Sequence, residues 1–248
     1  LQTGRRFILM RRWKEEITTE KIESYFNDVN VSELTDGKYN CITVYRKILY
    51  LAKYDIETGK TIKGEKIGYV VALSTEQNYA GGSYLDVDDI IFEEFMSRSA
   101  YIPRESAKLL NFYCTVDRKR GTTRLWMVGN TISRVCPYIN DWELQRIIST
   151  QKQGTIVTKE MKGSDDESIL LAIEYCKSSG VSSNTFGKQA KMLNDGSWQT
   201  DIQPHLPKSY NEYKVILRIV FFFKGFKSKH IRLRTKYPMD ILRFQIPV

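Results

Sequence analysis

The sequence predicts an α/β chain: a mostly parallel sheet carrying a β-hairpin insert, followed by a smaller C-terminal α+β region. Three observations predict it. Continuous apolar runs, Phe7-Ile8-Leu9-Met10 and Ile90-Ile91-Phe92, read as strands covered on both faces. Stretches of helical periodicity alternate with those runs. Each run also closes on charged residues, Arg11-Arg12-Trp13-Lys14 in the first and Glu93-Glu94 in the second. Open α/β sheets place their ligands at those carboxyl ends.

In chain order, Arg5 and Arg6 lead into the first strand, and the basic group after it is either a ligand edge or a solvated turn. Residues 14–29 place Ile17, Ile22, Tyr25, Phe26 and Val29 at helical spacing, which predicts an amphipathic helix. Residues 41–54 and 66–73 are strand-like, with residues 55–64 as the turn between them. Within that turn, Thr58-Gly59-Lys60-Thr61 copies the end of a phosphate-binding P-loop. A P-loop needs an earlier glycine, a strand before it and a helix after it. Strands flank this copy on both sides, so it reads as hairpin chemistry. The chain holds no other Gly-x-x-x-x-Gly-Lys-Ser/Thr.

The loop Gly81-Gly82-Ser83-Tyr84 leads into the strand Asp89-Ile90-Ile91-Phe92-Glu93-Glu94-Phe95. A buried strand ending in paired acids suits nucleotide hydrolysis, one acid holding the Mg²⁺ shell and the other polarising water. The bland alternative is a strand running into a solvated turn. Residues 101–116 then predict a helix, with Pro103 in its first turn and Leu109, Leu110, Phe112, Tyr113 and Val116 inward. Arg118-Lys119-Arg120 closes it, and a strand over residues 123–128 ends in Gly129-Asn130-Thr131. Pro137 and Asn140-Asp141 start a short helix that turns Trp142, Leu144 and Ile147 inward.

Apolar periodicity fades over residues 149–167, which divides the chain into 1–153 and 154–248. A strand over 169–175, a helix over 183–194 stopped by Gly196, and a strand over 213–223 follow. The end is basic, with Lys224, Lys227, Lys229, Arg232, Arg234, Lys236 and Arg243. A net charge of +9 over 248 residues favours a polyanionic partner such as nucleic acid. Cys41, Cys114, Cys136 and Cys176 form no CxxC pair, which argues against zinc or redox chemistry and fits a reducing cytoplasm. The most apolar run, residues 215–223, is interrupted by Arg218 and falls short of the roughly 20 residues a bilayer span needs.

Strand, acid pair, helix, arginine, strand and polar tip is the order of parts in the additional-strand (ASCE) class of ring ATPases. More specifically, Arg6-Phe7-Ile8-Leu9-Met10-Arg11-Arg12-Trp13-Lys14 and Tyr25-Phe26-Asn27-Asp28-Val29 resemble the DNA-encapsidation ATPases of small tailed bacteriophages, genome-packaging motors related to terminase large subunits. The resemblance continues through Ala72-Leu73-Ser74, Ile90 to Phe95, Tyr101-Ile102-Pro103, Leu109-Leu110-Asn111, Thr115 to Arg120, Asn130 and Val135-Cys136-Pro137-Tyr138. It covers most of residues 5–140 and is looser beyond Gly154.

The resemblance implies a P-loop-type ATPase sheet, followed by a linker and part of a degenerate RNase H-like domain. Only Glu174 of the later acids sits on an apolar strand, while Asp165, Asp166 and Glu167 lie in a polar turn. That region is therefore expected to lack nuclease activity. ATP and Mg²⁺ are the implied cofactors. Glu93 would be the Mg²⁺-side acid, although close relatives carry aspartate there, and glutamate is one methylene longer. Glu94 would be the catalytic acid, Arg118 the arginine finger and Asn130 the polar sensor, with Arg12 and Lys14 near phosphate or the channel. The family's P-loop precedes the strand that opens this chain, so it is expected upstream of Leu1. The implied partners are double-stranded DNA, the portal of the procapsid and further copies in a ring, a pentamer in that family. A structural RNA is left open. The implied place of action is the cytoplasm of an infected bacterium, transiently at the capsid portal. Two other functions stand beside this one: a nucleic-acid-binding fragment without catalysis, and another ASCE-class DNA translocase.

Overall fold

The computed structural model describes residues 4–98, 100–162, 168–177 and 196–198, and the backbone alone of 214–219, 222–223, 226–227 and 231–235. The helix expected over 183–194, the turn at Asp165 to Glu167, and Lys224, Lys229, Lys236 and Arg243 of the basic end lie outside these residues. The central sheet has the order β2-β3-β4-β1-β5-β6. Its strands are β1 (Arg6–Arg11), β2 (Cys41–Tyr45), β3 (Ile48–Asp55), β4 (Lys60–Ala72), β5 (Val87–Glu93) and β6 (Arg124–Val128). β4, β1, β5 and β6 run parallel. β2 and β3 extend the β4 side antiparallel. The chain is therefore mixed α/β with a mostly parallel central sheet.

β1 sits inside the sheet because it is apolar on both faces. Ile8 and Met10 enter one core and Leu9 the other. The first core adds Ile90 and Phe92 of β5, Leu109, Phe112 and Val116 of α3 (Glu105–Asp117), and Tyr138 and Ile139 of α4 (Pro137–Asp141). The second gathers Val70, Leu49, Leu51 and Ile42 beneath Ile22 of α1 (Thr19–Ser24) and Val31 of α2 (Val31–Leu34). Each fully buried aliphatic side chain of this kind contributes about 1.5–3 kcal/mol. β1 and β4 approach closely enough to require glycine at Gly68, where a Cβ would stand 2.4 Å from the Phe7 carbonyl oxygen. On the far edge, β6 leaves Trp126 and Val128 exposed by 51% and 54%.

Two predicted helices are broken. Over residues 14–29, Lys14–Glu16 make a single 3-10 turn, and Thr18 then caps α1, its hydroxyl accepting from the Lys21 N–H at 3.3 Å. Thr18 is β-branched, and its side chain favours the extended cap conformation over continued helix. Pro137 opens α4, but Asn140-Asp141 end it, and Glu143 at φ 54° separates it from α5 (Gln145–Thr150). The P-loop imitation is a hairpin tip. Asp55 pairs with Lys60, its carboxylate accepts from the Glu57 N–H and the Thr58 hydroxyl, and Gly59 takes φ 64°.

In the polar stretch after α5, β7 (Thr155–Lys162) pairs antiparallel with β8 (Ser168–Tyr175). Met161, Leu171, Ile173 and Tyr175 pack against the first core. Residues 1–201 form one compact unit and 202–248 a second. In the second, β9 (Lys214–Ile219) pairs antiparallel with β12 (Ile231–Thr235), and β10 (Phe222–Phe223) with β11 (Phe226–Lys227).

The corner after α3 is tied to the start of β5. Arg118 and Lys119 take φ of 48° and 61° there. Arg120 donates to the carbonyls of Tyr84, Leu85, Val87, Val116 and Asp117 and to the Thr123 hydroxyl. The Asp117 carboxylate accepts from the N–H groups of Gly121 at 2.9 Å and Thr123 at 3.0 Å. Burial pushes the Asp117 carboxyl up, but these donors outweigh it and hold the group below its usual range. A depressed carboxyl contributes stability that is present above its unfolded pKa, about 4, and lost as pH falls through the folded value. Asp117→Asn is expected to cost about 1–3 kcal/mol near neutral pH. It should also flatten the fall in urea midpoint below about pH 4. An unchanged acid slope contradicts this role.

Candidate active site

Because β1, β5 and β6 run parallel, their carboxyl ends share one edge of the sheet. That edge collects Arg11, Arg12 and Lys14 behind β1, Glu93 and Glu94 at the end of β5, and Asn130 beyond β6. Glu93 pairs with Val128, and the Phe95 N–H donates to the Val128 carbonyl, so the acids stand between the arginines and the Gly129-Asn130 tip.

Arg11 joins the acids. Its Nη1 donates to Glu93 Oε2 at 2.9 Å and its Nη2 to Glu94 Oε2 at 2.8 Å, while Nε lies 3.5 Å from Glu16 Oε2. The Arg11 side chain is 6% exposed, against 33% for Glu93 and 61% for Glu94. The guanidinium therefore lies beneath, and the carboxylates face solvent. Two adjacent carboxylates repel, and one shared fork of N–H donors offsets that repulsion. The Tyr25 ring lies against the same guanidinium, 5.3 Å from its centroid.

Arg12 turns the other way and is buried. Its Nε donates to both Glu105 oxygens at 3.0 and 3.1 Å, its Nη1 to the Glu94 carbonyl at 3.1 Å, and its Nη2 to the Phe95 carbonyl at 2.6 Å. Glu105, itself buried, also accepts from the Tyr138 hydroxyl at 2.6 Å and the Ile102 N–H at 2.8 Å. Burial, and then the Glu105 charge, push the Tyr138 hydroxyl far above its usual range, so it remains a proton donor. The rings of Phe92 and Tyr101 flank the guanidinium. Glu94 itself takes φ 53°, a left-handed conformation costing about 1–3 kcal/mol for a residue with a Cβ. The donors of Arg12 hold the carbonyls of that strained turn.

Of the residues expected from sequence, Glu93, Glu94, Asn130 and Lys14 thus share the edge, with Glu94, Asn130 and Lys14 exposed. Arg12 is at the same edge but inside the core. Arg118 is elsewhere. It caps α3 and donates through Nη2 to the Gly82 carbonyl at 2.7 Å, before β5 begins. The length of β5 separates it from its own Glu94, about 20 Å. Arg11, Glu105 and Tyr138 were not singled out by sequence reading. Glu105 looks like an ordinary acid in a first helical turn, and only the fold buries it. Among the described residues, no group of three or more His, Cys, Asp or Glu converges on a metal position. Two carboxylates do fit Mg²⁺, which binds through one or two acids plus waters and phosphate oxygens.

A family model described as podovirus DNA encapsidation protein (Gp16) matches residues 1–220. The DNA packaging protein of Bacillus phage phi29 is 28% identical over 230 residues, covering 89% of this chain and 61% of the relative. That of Bacillus phage PZA is 33% identical over 141 residues, covering 56% of this chain and 37% of the relative. The chain thus spans only part of the length of either. The crystal structure of the N-terminal domain of the DNA packaging ATPase from bacteriophage phi29 aligns with a TM-score of 0.47 at 29% identity, covering 67% of this chain and 74% of that one.

Breaking the buried pair from one side strands a charge. Glu105→Leu is expected to cost about 3–5 kcal/mol in chemical denaturation. Combining it with Arg12→Met should recover most of that loss, because apolar residues of similar volume replace a buried ion pair at little net cost. A Glu105→Leu loss under about 1 kcal/mol, or a double variant no better than the single, contradicts the pairing.

Proposed function

The chain belongs to the podovirus DNA encapsidation protein family, and we propose that it is the hydrolytic part of a ring motor coupling ATP hydrolysis to packaging of double-stranded phage DNA. The observation that carries this reading is the Glu93-Glu94 pair, ending a buried parallel strand and joined through Arg11. In this reading the ring docks on the portal of a procapsid in the infected cell. Among the described residues, no helix is long and apolar enough to cross a membrane.

The roles follow from position. Arg11 engages Oε2 of each acid, which leaves Oε1 of each for a metal shell or a water. Glu93, the less exposed acid, is the ligand on the Mg²⁺ side, and Glu94 orients the attacking water and accepts its proton. Held by Glu93, Mg²⁺ would supply charge neutralisation at the phosphates of a bound nucleotide. Lys14 and Asn130 offer exposed polar groups to the phosphates from either side of the acids. Arg12 acts through the backbone, holding the turn that aims Glu94. Arg118 is too far from its own acid pair to act there. Arg118, exposed at the opposite edge of the sheet, acts instead on the γ-phosphate of a neighbouring copy.

In the packaging-competent protein, Glu94→Gln is expected to keep ATP binding and nearly abolish hydrolysis, since binding rests mainly on phosphate contacts and the chemical step on the carboxylate. Turnover within a few-fold of wild type removes Glu94 from this role. Mixing Arg118→Ala subunits with Glu94→Gln subunits should restore part of the activity, because an intact acid pair then meets an intact arginine. Such a finger is worth about 10³–10⁵ in rate. Assembled mixtures that stay silent at every ratio rule out action in trans.

A further inference from the structure

The antiparallel extension of the sheet carries a second charged surface, on the side away from β5 and β6. Here cations and tyrosines interleave. Lys63 Nζ stands 3.6 Å from the Tyr45 ring centroid and 5.8 Å from that of Tyr50, and the Arg46 guanidinium stands 5.2 Å from Tyr45. Tyr50 pairs across the ladder with Lys66, whose ammonium lies 3.9 Å over Tyr69. Ile48 pairs with Tyr69, and the Lys47 carbonyl accepts from the Val70 N–H, so the β2–β3 turn adjoins that tyrosine. The Lys47 ammonium donates to the Tyr79 hydroxyl at 3.1 Å.

Arg46, Lys47 and Lys63 are exposed. None of the three has a carboxylate partner among the described residues. Acids of the same strands and their neighbours are engaged by others: Glu65 by Lys38, Asp86 by Arg6 and Lys66, and Glu23 by the Thr43 hydroxyl and the Val44 N–H. Three cations without a carboxylate partner, Lys63 on β4 and Arg46 and Lys47 in the adjoining β2–β3 turn, form a local positive field beyond what the net charge alone requires.

The tyrosines decide what kind of polyanion fits. A nucleobase stacks on a ring whose face is free. Ammonium groups already lie over Tyr45 and Tyr69, so these rings serve as holders that fix the cations. Fixed cations along a sheet suit evenly spaced phosphates and carry no means of reading base edges. We propose that this face binds the phosphate backbone of double-stranded DNA without sequence preference. The inference rests on the DNA part of the packaging reading and is independent of the hydrolytic part.

The test titrates the full 248-residue chain against a short random-sequence DNA duplex and a single strand of equal length over a range of salt. The triple variant Arg46→Ala/Lys47→Ala/Lys63→Ala is compared with Lys21→Ala/Lys152→Ala/Lys162→Ala, which removes the same charge from exposed positions elsewhere. The first triple is expected to weaken duplex binding by about tenfold or more at low salt. It should also flatten the slope of log K against log salt by about 2.7, the value for three lost phosphate contacts. The control triple should leave that slope unchanged. Tyr45→Leu keeps every charge but releases Lys63, and a few-fold loss is expected. Equal losses in the two triples, or tighter binding of the single strand than of the duplex, overturn the proposal while leaving the packaging reading intact. A wild-type chain that binds no duplex at low salt removes the proposal and the DNA part of that reading together.

Discussion

The Arg12–Glu105 pair is the constraint around which the rest of the first core is arranged. It joins the end of β1 to the first turn of α3, draws in α4 through the Tyr138 hydroxyl, and grips the turn after β5 through two carbonyls. Such a pair is tolerated in a low-dielectric interior only when every charge is hydrogen-bonded, and here both ions are. Its value lies in position more than in stability. A hydrophobic substitute could fill the space, but it could not hold the Glu94 and Phe95 carbonyls.

Two neighbouring arginines perform opposite tasks because a strand alternates its faces. Met10 enters the first core and Leu9 the second, so Arg12 continues on the Met10 side and Arg11 on the Leu9 side. On β5, Phe92 enters the first core, which sends Glu93 to the same side as Arg11. The acid pair is thus held from both sides of the sheet: its carboxylates by Arg11 and its backbone by Arg12. In the proposed function, a rigid backing of this kind keeps the exposed acids within the narrow geometry that water activation would require.

The parts most legible in the sequence were those in which apolar runs leave a single solution. Phe7 to Met10, Ile90 to Phe92 and the Leu109-to-Val116 stripe appear as β1, β5 and α3 with small shifts at their ends. The break in the helix expected over residues 14–29 was hidden because Thr18 competes for its own backbone as a cap. β7 escaped a strand reading because a lysine occupies one of its half-buried alternate positions. Lys159 lies between Val157 and Met161, and its ammonium donates to the Trp142 carbonyl at 2.7 Å. At the site, the acids could be read as a strand-end motif. The division of labour between Arg11 and Arg12 lay in the alternation of β1 but needed the pairing with β5 to be seen. The placement of Arg118 follows from connectivity: a helix linking two parallel strands runs back along the sheet, so its last residue returns to the amino edge.

In the proposed function this acid pair is the hydrolytic centre of a subunit in a ring. The most direct measurement is a structure of the assembled ring with Mg²⁺ and a non-hydrolysable ATP analogue. The expected result is the metal shell at Glu93, a water held by Glu94 in line with the γ-phosphate, and Arg118 of a neighbouring copy reaching that phosphate. Nucleotide bound away from the carboxyl end of β5, with Arg11 still closing the pair and no metal near it, would contradict the claim.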